Sequence, residues 1–148
     1  MSNIEESLKK LFSHKDDTKS VVFEWDHKNK VALITHEGVN GLDDVKAHLD
    51  SSKVMLGIFA VKSIDKDESV ETQRTYYVQL PFVGENVKPL LRRDLNSLRN
   101  AITNSVKSGL NIHVTMEITS VEDIKNVDEL EKRLLSACGS HKPKGFQW

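Results

Sequence analysis

The feature that most constrains this chain is a stripe of apolar residues within positions 88–107. They follow one another at intervals of 4, 3, 4 and 4 residues, which is the spacing of one face of an α-helix. The residues are Leu91, Leu95, Leu98, Ile102 and Val106. Pro89 suits the first turn of such a helix, and Gly109 suits its end. The pattern predicts an amphipathic helix over residues 88–107 that must bury one face against another layer.

The opposite face of the same predicted helix is basic. It carries Lys88, Arg92, Asn96, Arg99, Thr103 and Lys107, which lie three or four residues apart. Arg93 borders this row, and Asp94 is the only acid in the segment. An ordinary solvated helix surface explains such a face. Docking onto an acidic protein surface also explains it, because such charges set the rate of approach and the register.

The other segments predict helices and strands that alternate along the chain. Helical spacing marks residues 4–12, 42–49 and 130–138, and strand patterns mark residues 20–25, 31–35, 54–62, 74–82 and 111–118. Residues 63–72 are charged without periodicity and predict a loop, and residues 140–148 predict a loose tail. The order α-β-β-α-β-β-α-β-α predicts an α/β (α+β) fold with one mixed sheet and helices on both faces.

Length and charge exclude several classes of protein. The chain has 148 residues, which predicts one domain, over residues 1–142, with a flexible tail over residues 143–148. With 21 Lys and Arg against 22 Asp and Glu, a broad polycationic surface for nucleic acid is not expected. The apolar runs are far shorter than the roughly 20 residues that span a bilayer, so no membrane association is expected. The polar, acidic start and the single Cys138 predict a cytoplasmic protein.

The sequence holds no local pattern of a catalytic or metal site. The six histidines lie 9 or more positions apart, and none forms a His-x-x-x-His pair. There is no Gly-x-Gly-x-x-Gly, phosphate loop or Gly-x-Ser-x-Gly motif. Cys138 closes an amphipathic helix and is expected to be a small, buried or half-buried hydrophobe rather than a nucleophile. We therefore expect no enzyme activity, no metal and no cofactor.

One segment resembles a known family. Residues 74–87 read RTYYVQLPFVGENV, an Arg-led strand with an aromatic near its end and Gly-Glu-x-Val before a basic helix. This pattern resembles coactosin and coactosin-like proteins, within the actin-depolymerising-factor homology fold. Phe23-Glu24-Trp25 and the small residues before Gly139 support the likeness. The resemblance covers residues 4–142 and implies a central mixed sheet of five strands flanked by four helices.

The resemblance also implies a function. Coactosins bind actin, preferring the filament to the monomer, with little severing and some protection against capping. It thus implies a monomeric, cytoplasmic protein associated with the cytoskeleton. Basic side chains on the strand before Gly-Glu and on the next helix contact the filament in that family. The candidate contact residues here are Arg74, Tyr76, Lys88, Arg92, Arg93, Arg99, Thr103 and Lys107.

The chain departs from the family pattern at four places, and at one of them the family's usual Lys-Ala-Lys run reads Arg92-Arg93-Asp94. Tyr76 and Thr103 stand where the family has lysines, and Phe82 stands where it has tryptophan. The change of aromatic is expected to be tolerated. Loss of two cations predicts a weaker contact with the filament, by an amount that depends on how far each would be buried.

Two other functions fit the same residues. A cofilin-like protein would bind or sever actin through its N-terminal segment and long helix, and would slow nucleotide exchange on the monomer. A diverged adaptor would keep the fold and bind neither form of actin. Ser2 is predicted to cap the first helix or, alternatively, to be a phosphorylation site, as cofilins are controlled at a serine near the N-terminus.

Overall fold

Four α-helices and seven strands are present in the described part of the computed structural model, residues 3–13, 15–67, 70–72, 74–107, 109–139 and 142–148. The helices are α1 (Asn3–Phe12), α2 (Leu42–His48), α3 (Asp94–Asn104) and α4 (Asp128–Ala137). The strands are β1 (Ser20–Asp26), β2 (Val31–Gly38), β3 (Val54–Asp67), β4 (Val70–Thr72), β5 (Thr75–Val83), β6 (Val114–Thr115) and β7 (Gly145–Gln147). Short 3-10 helices precede α3 and α4, at Pro89–Leu91 and Val121–Ile124. Ser2, with its predicted cap and phosphorylation, lies outside the described residues.

The sheet is mixed and centred on β3. Its strand order is β2-β1-β3-β5-β6, and every neighbouring pair is antiparallel except β5 and β6, which are parallel. In register, Leu56 of β3 lies opposite Phe23 of β1 and Pro81 of β5. The two short strands β4 and β7 also pair with β3. The predicted single mixed sheet is therefore confirmed.

Residues on both faces of the central strands are buried. Leu56 and Ile58 of β3 share one cluster with Tyr77 of β5, and α1 and α3 cover that side. Phe59, the next residue of β3, belongs to a second cluster that α2, α4 and Trp148 cover. Because successive side chains of a strand point to opposite faces, each face needs its own helices to exclude water. The prediction of helices on both faces is confirmed.

The helix predicted over residues 88–107 is divided in the structure. Its first turn is the 3-10 helix Pro89–Leu91, in which the Arg92 N–H donates to the Pro89 carbonyl at 3.3 Å, three residues back. Near the other end the Ser105 hydroxyl donates to a carbonyl of the last turn and competes with the helical bonds. The apolar stripe still shares one face. Its buried members are Leu95, Leu98, Ile102 and Val106, with Leu91 half-buried.

Three segments differ from their predictions. The predicted loop over residues 63–72 continues β3 to Asp67 and returns as β4, because backbone pairing needs no apolar alternation. The predicted strand over residues 111–118 is reduced to β6, with one isolated bridge between Phe82 and Ile118. The predicted tail contains β7, which pairs with β3, and Trp148 packs against the core.

Removing the side chain of Leu98 should destabilise the fold, whereas removing that of Leu90 should not. Leu98 is fully buried under the sheet and Leu90 is 76% exposed. Leu98→Ala is expected to lower the free energy of unfolding by about 2–5 kcal/mol, through lost transfer energy and a cavity. Leu90→Ala should change it by less than about 0.5 kcal/mol. Urea titration followed by circular dichroism measures both, and equal losses would contradict this packing.

Candidate functional site

The cations of the long-helix segment form a surface strip. We define the basic strip by its charged members, which are Lys88, Arg92, Arg93, Arg99 and Lys107. All are exposed except Arg99, which is half-buried. Among the described residues, no carboxylate lies within 4.0 Å of any of these cations. The strip therefore presents its charges to solvent, where they are available to an acidic partner.

The only acid of the segment turns away from the strip. Asp94 is buried, with 8% of its surface exposed. Its Oδ2 lies 2.7 Å from Nδ1 of His27, in the turn between β1 and β2. A carboxylate held in that bond does not neutralise the neighbouring Arg92 and Arg93 at the surface. Asp94 therefore forms no direct ion pair with these arginines, although its charge remains near the start of α3.

The turn before the strip is held by its close approach to another loop. The Gly84 N–H donates to the Lys53 carbonyl at 3.1 Å, and the Asn86 N–H donates to the Ser51 carbonyl at 2.9 Å. A Cβ at position 84 would lie 2.0 Å from that Ser51 oxygen, so only glycine fits. The Gly-Glu-x-Val motif thus fixes the turn from which the chain enters the segment that carries the basic strip.

The strand residues among the candidates are separated from the strip. Arg74 is exposed and precedes β5, at the opposite end of that strand from Gly84. Tyr76 is 8% exposed and belongs to the cluster under α2 and α4, not to the one under α3. Its ring centroid lies 5.1 Å from that of His113 and 6.4 Å from that of Phe146. The structure therefore does not bring Tyr76 to the surface that carries the strip, whereas Thr103 is exposed on α3.

The hydroxyl of Tyr76 interacts with Cys138. A hydrogen bond with that thiol, reinforced by burial, raises the pKa of Tyr76, while the nearby Arg74 opposes the rise. Cys138 itself is half-buried against the core cluster, as expected from the sequence. Tyr76 and Cys138 thus form a contact between β5 and the end of α4.

One exposed apolar residue was missed by the sequence analysis. Leu90 is 76% exposed and lies between Lys88 and Arg92. The sequence feature that could have predicted its exposure is its position one residue before Leu91, outside the apolar stripe. Burial of such a side chain by a partner would add to the electrostatic attraction of the two flanking cations.

A cleft of about 520 Å³ opens beside the start of α3. Its lining includes Arg92 and Asn96 from the strip side and Glu85 and Glu117 from the neighbouring loops. Among the described residues, no group of three or more His, Cys, Asp or Glu side chains is arranged to hold a metal ion. No helix within the described ranges has the length and apolar character needed to cross a bilayer.

The fold and this surface define the class of protein. A mixed sheet between two pairs of helices, with a glycine turn leading into a basic helix, is an actin-depolymerising-factor homology domain. The chain belongs to the family of cofilin/tropomyosin-type actin-binding proteins, whose family model matches residues 1–135. No curated protein sequence matches the chain.

Solved structures agree with the resemblance to coactosin. Coactosin from Entamoeba histolytica matches with a TM-score of 0.76 and 22% identity, covering 94% of this chain and 96% of its own. Human coactosin-like protein matches with a TM-score of 0.69 and 14% identity, covering 93% and 88%. The cofilin homology domain of a yeast actin-binding protein matches with a TM-score of 0.62 and 18% identity, covering 86% and 87%. At these identities the matches confirm the fold.

His113 should make stability depend on pH. Its Nδ1 accepts a hydrogen bond from the Tyr77 N–H at 3.0 Å, and desolvation lowers the pKa of His113 below 6.5. The unfolded chain therefore takes up a proton that the native state does not, and the free energy of unfolding falls as the pH drops below about 6.5. In His113→Asn the amide oxygen can accept the same bond without titrating.

We expect the loss of stability between about pH 7 and about pH 5 to be smaller in His113→Asn than in the wild type. Denaturant titrations at both pH values measure it. The five other histidines are unchanged in the variant and provide the internal control. An equal loss in both proteins would contradict the assignment.

Proposed function

We propose that this protein binds along the side of actin filaments through the basic strip and modulates filament dynamics. The observation that carries the proposal is that the strip's cations have no carboxylate partner within 4.0 Å among the described residues. Charges that are free in the unbound protein can pair with an acidic partner without first breaking an internal bond. Membership of an actin-binding family supports actin as that partner.

The filament is the preferred form in this proposal. The resemblance to coactosin in residues 74–87 supports a filament-side contact, and its fold agrees with solved coactosin structures. Burial of Tyr76 and the neutral Thr103 leave the contact to the remaining cations of the strip. The expected result is binding that is dominated by electrostatics and weakens as salt rises. On this view the protein acts as a monomer in the cytoplasm, associated with the cytoskeleton.

Loss of two arginines should weaken filament binding. Arg92→Gln with Arg99→Gln is expected to raise the dissociation constant about five- to thirtyfold, from about 0.5–1 kcal/mol per rim arginine. Co-sedimentation with filaments at about 50 mM and about 200 mM salt measures the effect, which should shrink at the higher salt.

The matched control for that experiment is Lys46→Gln with Lys132→Gln. It removes two positive charges from α2 and α4, which lie over the other face of the sheet. If the fraction of protein that co-sediments with filaments changes neither with salt nor on substitution of the two arginines, the proposal is contradicted. Slower nucleotide exchange on monomeric actin, without pelleting, would instead indicate the cofilin-like alternative.

Leu90 should contribute an apolar contact. Leu90→Ala is expected to weaken filament binding by about 1–2 kcal/mol, because the side chain loses part of the area that the partner would bury. Its fold stability should not change, since Leu90 is 76% exposed in the free protein. Co-sedimentation paired with urea titration separates the two effects. Unchanged binding would place Leu90 outside the interface.

A further inference from the structure

The turn between β1 and β2 carries a second group of exposed cations. Lys28 and Lys30 are both exposed, and neither lies within 4.0 Å of a carboxylate among the described residues. The nearest acid along the chain, Asp26, accepts hydrogen bonds from the Asn29 N–H at 3.2 Å and the Asn29 side-chain amide at 2.8 Å. Those bonds, with smaller contributions from the backbone N–H and the charge of Lys28, lower the pKa of Asp26. The two lysines therefore remain available to a partner.

A polar contact joins this turn to the first residue of α3, beside the basic strip. Nδ1 of His27 lies 2.7 Å from Oδ2 of Asp94, the first residue of α3 and the neighbour of Arg93. Asp94 is buried while the His27 side chain is half exposed, so the contact forms at the border of the protein surface. Residues that lie far apart in sequence are thereby brought together at the start of the helix.

The turn is also held by apolar packing. Trp25 at the end of β1, and Ala32 and Ile34 of β2, pack against the core cluster that contains Leu95 and Leu98 of α3. The hairpin therefore has a defined position relative to the helix. A preformed surface loses little conformational freedom on binding, which favours its use as a contact.

We infer that the β1–β2 turn is part of the same interaction surface as the basic strip. Lys28 and Lys30 extend the positive charge of Arg92 and Arg93 across the start of α3, and His27 with Asp94 positions the turn. The partner that fits this surface is the acidic side of the actin filament, so the inference rests on the proposed function. Asp26 and Asp94 are each held by bonds within the protein, and the lysines and arginines of this surface have no carboxylate within 4.0 Å among the described residues, so charge complementarity with an acidic surface follows.

The test is Lys28→Gln with Lys30→Gln in the full chain. Glutamine, like lysine, is unbranched at Cβ, so the change at Lys30, which has a φ of 53°, adds no new backbone strain. Co-sedimentation at about 50 mM salt is expected to show a dissociation constant about three- to tenfold higher than that of the wild type. The dissociation constant of the variant should also depend less on salt. Lys46→Gln with Lys132→Gln is the matched control and should stay within about twofold.

The outcomes separate this inference from the proposed function. If Lys28→Gln with Lys30→Gln binds like the wild type while the Arg92 and Arg99 variant is weakened, the turn is outside the contact and the strip remains the site. If the wild type does not pellet with filaments, the proposed function fails and this inference fails with it. An equal loss in the control double variant would show a general charge effect and would also overturn the inference.

The positioning role of His27 has its own readout. In His27→Ala the contact with Asp94 is lost. The lysine substitutions should therefore raise the dissociation constant for filaments less in that background than in the wild type. His27→Asn places its amide nitrogen at the position of Nδ1, can still donate to the Asp94 carboxylate and should restore the full lysine effect. Urea titration confirms that each variant is folded. Equal lysine effects in all three backgrounds would contradict positioning by His27.

Discussion

Burial of the α3 stripe against the sheet is the interaction on which the rest of this structure depends. Leu98 and Ile102 are fully buried among Leu56, Ile58 and Tyr77 of the central strands. A helix with apolar residues on one side can be stably placed in only one rotation about its axis. Because that rotation is set by the core, the arginines on the opposite side are directed to solvent. The surface chemistry of the protein is thus a consequence of its packing.

A second constraint concerns the acids around that surface. Asp94 is bonded to His27 and Asp26 to Asn29, and among the described residues neither carboxylate lies within 4.0 Å of a lysine or arginine. The protein has a net charge of −1, yet the start of α3 is locally positive. Local geometry, rather than overall charge, therefore decides which partner this surface attracts. This is the physical link between the fold and the proposed filament contact.

Much of the fold could be predicted from periodicity, and much of the candidate site could not. The stripe from Leu95 to Val106 identified its helix face because helical spacing follows directly from backbone geometry. The burial of Tyr76 could not be predicted in this way. A strand that is covered on both faces has no polar face, so its sequence pattern does not show which side chains are buried. The strand β7 was missed for a different reason. Its pairing with β3 joins residues more than eighty positions apart, and no local pattern encodes it.

The sequence by itself determined the order of the helices and of every strand except β4 and β7, the apolar face of the long helix and the family of the protein, because each is encoded in local spacing or in a contiguous motif. Only the tertiary structure decided which charges are free. The bond between His27 and Asp94, the exposure of Leu90 and the distance of Tyr76 from the basic strip all depend on segments that meet through folding. These features depend on residues that are far apart in the chain and meet only in the folded protein, so local sequence patterns do not specify them.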